Sequence, residues 1–170
     1  MAVIDEEVVA TTNELDQQEV AVLRKRLEET NAATSETTSH NLSPPPDWEP
    51  VPTVSIDEGR WKYVLISATE PYSTDGSGEC YTSFYVTSKK YAEYHRNAAE
   101  PYVNLLQSRG YRDIHVSGGG RIHLDSDERT IHIFGFSYGF GLGDHAAAKR
   151  VIERDERYKG FKVTWSNDGY

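Results

Sequence analysis

The hydrophobic pattern divides the chain near residue 48. Before that point apolar positions are sparse, although TTNELDQQEVAVLRKRLEET (residues 11–30) can place Leu15, Val22, Leu23 and Leu27 along one helical stripe. The following NAATSETTSHNLSPPPD (31–47) is rich in Ser, Thr, Asn and Pro and poor in core formers. Such a composition buries too little apolar area to offset the entropy of ordering it. Residues 1–47 are therefore expected to form a disordered extension with a possible short helix, joined to the rest by the stiff Pro44–Pro46 run.

From Trp48 onward β-formers and helical spacings alternate. RWKYVLISA (60–68) and YTSFYVT (81–87) read as strands, separated by a loop carrying Pro71, Gly76 and Gly78. A helix follows and ends near Gly110. Proline is costly in a helix interior, so it starts around Asn97–Ala98 or else runs longer and bends at Pro101. RDIHVS (112–117) and GRIHL (120–124) predict two short strands divided by Gly118–Gly120, and DSDE (125–128) a turn. RTIHIFGFS (129–137) is apolar on both faces, the mark of a central strand covered by helices on each side. Asp144 is the expected N-cap of a helix over 144–158, and FKVTWS (161–166) is the last strand. The result is an α+β domain over 48–170, a mixed sheet with two helices.

Charge modifies this picture little. The formal net charge is −9, but ten acids against three bases lie in residues 1–47, leaving the domain nearly neutral. No clustered basic surface suggests nucleic acid as a partner. No apolar run is long enough to span a bilayer, and the start lacks the pattern of a signal peptide. Cys80 is the single cysteine, which fits a reducing, cytoplasmic setting and leaves no thiolate metal cluster.

The segment GFGLGDHAAA (139–148) breaks off the most apolar strand and leads into a helix. Backbone amides of glycines between a strand end and a helix start make an anion cradle, to which the helix terminus adds partial positive charge. Gly139, Gly141 and Gly143 are expected to supply such amides. Lys62 shares a face with Val64 and Ile66, an awkward place for a charge without a task. His95 lies beside a helix start, whose field favours the uncharged ring that a general base requires. His40 lies in the extension, and His115, His123 and His132 on strands are read as structural or surface residues. No histidine pair has the helical spacing of a zinc site. The terminal SNDGY carries the turn signature Asn167-Asp168-Gly169.

IDEGRWKYVLI, YAEYH, SGGGRIH, IHIFGFSYGFG, DHA and VTWSNDGY, in this order over residues 54–170, resemble the janus/ocnus family, whose enzymatic members are protein phosphohistidine phosphatases. The resemblance implies a six-stranded mixed β-sheet flanked by two α-helices. It also implies metal-independent hydrolysis of the P–N bond of phosphohistidine in proteins, without a cofactor, by a monomer whose substrates are histidine-phosphorylated proteins. His95 falls on the family's essential histidine, as general base or as nucleophile. Lys62 falls on its substrate-binding lysine, and Ser137, Tyr138 and Gly139 on its phosphate-holding loop. Arg121 and His145 match positions near that pocket. The chain departs from the better-known animal pattern in the loop 69–80, at Pro101 and at Thr87–Lys90, differences that bear on which proteins dock. A phosphate-recognition or regulatory janus-type protein without catalysis is the alternative.

Overall fold

A computed structural model describes residues 2–35 and 43–168, with the side chains of the first helix described over residues 14–33. His40 and the terminal Gly169 and Tyr170 lie outside the described residues. The elements in order are α1 (Ala2–Ser35), β1 (Val54–Ser55), β2 (Gly59–Thr69), β3 (Thr82–Ser88), α2 (His95–Ser108), β4 (Arg112–Asp125), β5 (Thr130–Phe134), α3 (His145–Glu153) and β6 (Lys162–Trp165), with a 3₁₀ turn at Glu156–Tyr158. The strands form one six-stranded mixed sheet in the order β1-β3-β2-β4-β5-β6. The β1–β3 and β5–β6 pairs are parallel and the rest antiparallel. None of the described helices is long and apolar enough to cross a membrane.

Alternation along β2 sorts the core into two layers, as a period of two requires. Val64 and Ile66 pack with Val103 and Leu106 of α2 on one face. Tyr63 and Leu65 pack with Ala148 and Ile152 of α3 on the other. Lys62 belongs to the α2 face, at the end of the strand where the apolar run stops. Its register partner on β4 is Arg121, so two cations lie side by side on one face.

Two expectations need correction, and one alternative is decided. Gly118–Gly120 do not divide two strands; β4 is continuous across them, with a register shift that leaves Ser117 out of the pairing. The strand at 130–134 lies next to the edge strand β6, and β2 and β4 hold the centre. Helix α2 takes the longer of its two courses: it starts at His95 and holds Pro101 in its interior. Its start is fixed by Asn97, whose side-chain oxygen accepts from the Tyr94 amide at 2.9 Å while its own amide donates to the Tyr94 carbonyl at 2.9 Å.

The extension holds the helix that its stripe allowed. Residues 14–33 form part of a third helix, packed against β4 and α2. Val20, Leu23 and Leu27 are buried in the same core cluster as Val64 and Leu106. The predicted stripe is rotated, since Leu15 and Val22 are exposed and Asp16 is buried. The buried register is thus 16, 20, 23, 27, with an acid in its first place. Arg26 donates to Asn104 and, at 3.0 Å, to Gln107 on α2. Asn31 exchanges two 3.1 Å hydrogen bonds with the Ile114 backbone.

Candidate active site

The site lies on the α2 face of the sheet, where the first residue of α2 meets the loop after β5. His95 is 0 % exposed. Its Nε2 lies 3.0 Å from the Gly120 carbonyl oxygen. A carbonyl can only accept, so Nε2 carries a proton and donates it. The other ring nitrogen, Nδ1, makes no hydrogen bond although it is buried, and it faces the loop. The ring comes this close to the sheet because position 119 has no side chain. A Cβ there would stand 3.2 Å from His95 Cδ2 and 2.5 Å from the Tyr63 carbonyl oxygen.

The loop supplies donors to the same spot. The Gly139 amide donates to Oδ2 of Asp16 at 2.9 Å, and the Ser137 hydroxyl lies 3.4 Å from the same oxygen. The Ser137 oxygen also accepts from the Phe140 amide at 3.0 Å, which fixes it in the turn. The amide of His95 itself donates to Oδ1 of Asp16 at 3.1 Å. A carboxylate therefore already occupies the anion cradle, and it comes from α1.

Burial by itself would raise the pKa of Asp16. The His95 ring, together with the His95 and Gly139 amides, outweighs that and holds the carboxyl below its usual range. His95 Nδ1 stands 3.5 Å from Oδ1 without a hydrogen bond, a pairing of charges only when the ring carries a second proton. Lys62 is half-buried, and burial plus the adjacent Arg121 guanidinium lower its pKa, while Asp16 and Glu93 act the other way. Lys62 thus stands within the electrostatic reach of the same carboxylate.

Not every expected residue joins this group. Of the three glycines only Gly139 turns its amide into the cradle. The Gly141 amide closes the loop on the Ser137 carbonyl at 2.8 Å, and that of Gly143 ties it to the Gly119 carbonyl at 3.0 Å. The Tyr138 ring packs edge-on against Phe136. Arg121 sits beside Lys62 on the cradle's face of the sheet. His145 is not brought in: it is buried on the opposite, α3 face, where Nε2 donates to the Gly135 carbonyl at 2.7 Å and Nδ1 accepts from the Tyr63 hydroxyl. It supports the loop from behind. Asp144 caps α3 as expected, accepting from the Ala147 amide at 3.0 Å. His132 bonds Thr164 across the β5–β6 pair at 2.8 Å.

Among the described residues no group of three or more His, Cys, Asp or Glu side chains is arranged to hold a metal ion. A surface groove of about 570 Å³ runs beside α2, lined by residues such as Lys90, Glu93 and Asn104. Its walls include neither His95 nor Ser137. Convergence of donors, not volume, marks the site. The acid in the cradle escapes a reading by composition, yet its place in register with Val20, Leu23 and Leu27 is a signal that was available.

The chain also matches known proteins over most of the folded region. A model of the Janus/Ocnus family matches residues 48–162. The 14 kDa phosphohistidine phosphatase of Sus scrofa is 37 % identical over 127 residues, covering 73 % of this chain and 96 % of that protein. Its Homo sapiens counterpart is 36 % identical over 122 residues, covering 71 % and 94 %. Sex-regulated protein janus-A of Drosophila pseudoobscura pseudoobscura is 32 % identical over 125 residues, covering 73 % and 80 %. The chain belongs to the Janus/Ocnus family.

Proposed function

We propose that this chain hydrolyses phosphohistidine in proteins, with His95 as the general base. The observation that carries the reading is the buried His95 Nδ1, which makes no hydrogen bond and stands 3.5 Å from an anion that two backbone amides and a serine hydroxyl already hold. The names of the porcine and human relatives support phosphohistidine as the substrate class.

In this reading the phosphoryl oxygens take the place of the Asp16 carboxylate, bound by the His95 and Gly139 amides and Ser137. Lys62 supplies a point charge, and Arg121 beside it adds to the local positive potential. A water held between phosphorus and Nδ1 gives its proton to Nδ1 as its oxygen bonds to phosphorus. The P–N bond breaks, and the substrate imidazole leaves with the electron pair and takes up a proton from solvent, to which Nδ1 afterwards returns the one it accepted. The Gly120 carbonyl maintains the tautomer, because a proton fixed on Nε2 keeps the Nδ1 lone pair available. The P–N bond is labile once its nitrogen is protonated, so positioning and charge neutralisation suffice and no metal is required.

The test is release of inorganic phosphate from a phosphohistidine peptide in excess chelator, with His95→Asn in parallel. Turnover that depends on His95 is expected. Phosphate binding without release would instead favour a recognition module of the janus type. Phosphate trapped covalently on His95 would make it the nucleophile.

A further inference from the structure

We propose that α1 is an autoinhibitory plug, in which the Asp16 carboxylate occupies the phosphoryl position and must leave before substrate can bind. The inference rests on the reading of the cradle as a phosphoryl site. Asp16 is 3 % exposed, and both its oxygens are engaged by the groups assigned to phosphate: the His95 and Gly139 amides and the Ser137 hydroxyl. A carboxylate serving to orient a catalytic histidine would instead sit on the ring nitrogen remote from substrate. Here that nitrogen, Nε2, belongs to the Gly120 carbonyl. Asp16 lies on the reactive side.

The rest of the helix is fitted to the same loop. One turn on from Asp16, Val20 packs so closely on the loop that a Cβ at Gly139 would stand 2.4 Å from Val20 Cγ2 and 2.9 Å from the Asp16 carbonyl oxygen. Arg24 then donates to the Gly139 and Phe140 carbonyls at 3.1 and 3.3 Å. Glu19 pairs with Arg96, the second residue of α2, at 2.6 Å. Acid, apolar and basic side chains at successive turns thus meet amide, backbone and carbonyl of one loop. Buried apolar side chains at Val20, Leu23 and Leu27 alternate with these polar contacts along the helix.

Because the plug is part of the chain, its effective concentration is high and independent of dilution. Apparent substrate affinity is the intrinsic affinity multiplied by the fraction of molecules in which the cradle is open. The matched family region begins at residue 48, and the porcine relative aligns over almost its whole length with only 73 % of this chain. The plug belongs to sequence outside the family match.

The experiment uses the full-length chain with Asp16→Ala, Asp16→Asn and Leu23→Asp, the last placing a charge in the buried stripe to undock α1. Inorganic phosphate affinity is read by NMR titration, turnover with a phosphohistidine peptide, and retention of the sheet by circular dichroism. The plug predicts that all three variants bind phosphate at least about tenfold more tightly and turn over peptide with a correspondingly lower KM. Unchanged or weaker phosphate binding in Asp16→Asn, with wild-type turnover intact, overturns the plug and leaves the phosphatase reading standing. A fall in kcat in both Asp16 variants makes Asp16 a positioning residue instead. Absence of phosphate binding and turnover in every variant removes the phosphatase reading, and the plug with it.

Discussion

Asp16 and His95 meet at the mouth of one loop, with Oδ1 of the carboxylate 3.1 Å from the backbone amide and 3.5 Å from Nδ1 of the ring. The two residues come from helices that a reading by composition assigns to different regimes, a disordered tail and a folded domain. Their contact marks the anion cradle more plainly than a search for concavities, because a charge buried this deeply persists only where donors await it.

Substituting His95 separates chemistry from folding. His95→Asn removes Nδ1 from the cradle and is expected to lower turnover by about 10²–10⁴-fold, the usual contribution of a positioned base. The cost in stability should be on the order of 1–2 kcal/mol, since one buried hydrogen bond to Gly120 is lost. Kinetics and a urea titration on the same sample check both halves.

The proposed function assigns Lys62 to binding. Lys62→Ala removes a half-buried cation beside Arg121, so KM for a phosphohistidine peptide should rise by about tenfold or more while the protein becomes no less stable. An unchanged KM would take Lys62 out of the cradle.

The close approach at position 119 is a packing constraint. In Gly119→Ala the new methyl would stand 2.5 Å from the Tyr63 carbonyl oxygen, backbone that cannot swing aside, and 3.2 Å from His95 Cδ2. A destabilisation of about 1–3 kcal/mol or more is expected, read as a lower urea midpoint, with loss of turnover in the fraction that remains folded.

His145 gives the fold a pH dependence. Burial lowers its pKa from the ordinary value of 6.5, with His132 in the same sense and the Gly135 carbonyl and Asp144 opposed. Both its nitrogens are committed as a neutral ring to Gly135 and Tyr63. Below 6.5 the unfolded chain therefore takes up a proton that the folded chain refuses. Stability is complete above that pH and declines as pH falls toward the folded pKa, by at most about 1.4 kcal/mol per pH unit. His145→Gln, which keeps a donor to Gly135, should flatten the slope between pH 7 and 5; an identical slope would contradict the assignment.

Much of the site was legible because its parts are short-range. The strand of Lys62, the Asp144 cap and the glycine loop from Gly139 follow from local pattern and turn chemistry, while Ser137 and Tyr138 were indicated by the family resemblance. What escaped depends on pairings distant along the chain. The triplet Gly118–Gly120 looks like a break because glycine weakens strands, yet in the fold it makes room for the Tyr63 backbone and the His95 ring. The histidine following the cap, His145, matches a pocket position in sequence, but a helix start on the far face directs it to Tyr63. Residues 14–33 lack the apolar content to fold alone, and their order comes from packing on β4 and α2, which lie distant along the chain.

The central claim is that His95 performs chemistry in a cradle that Asp16 otherwise fills. The most direct test is phosphate release from a phosphohistidine peptide, in excess chelator, by Asp16→Ala and by the double variant Asp16→Ala/His95→Asn. The account predicts rapid release by the first and loss of that release in the second. Equal rates from the two proteins would contradict it.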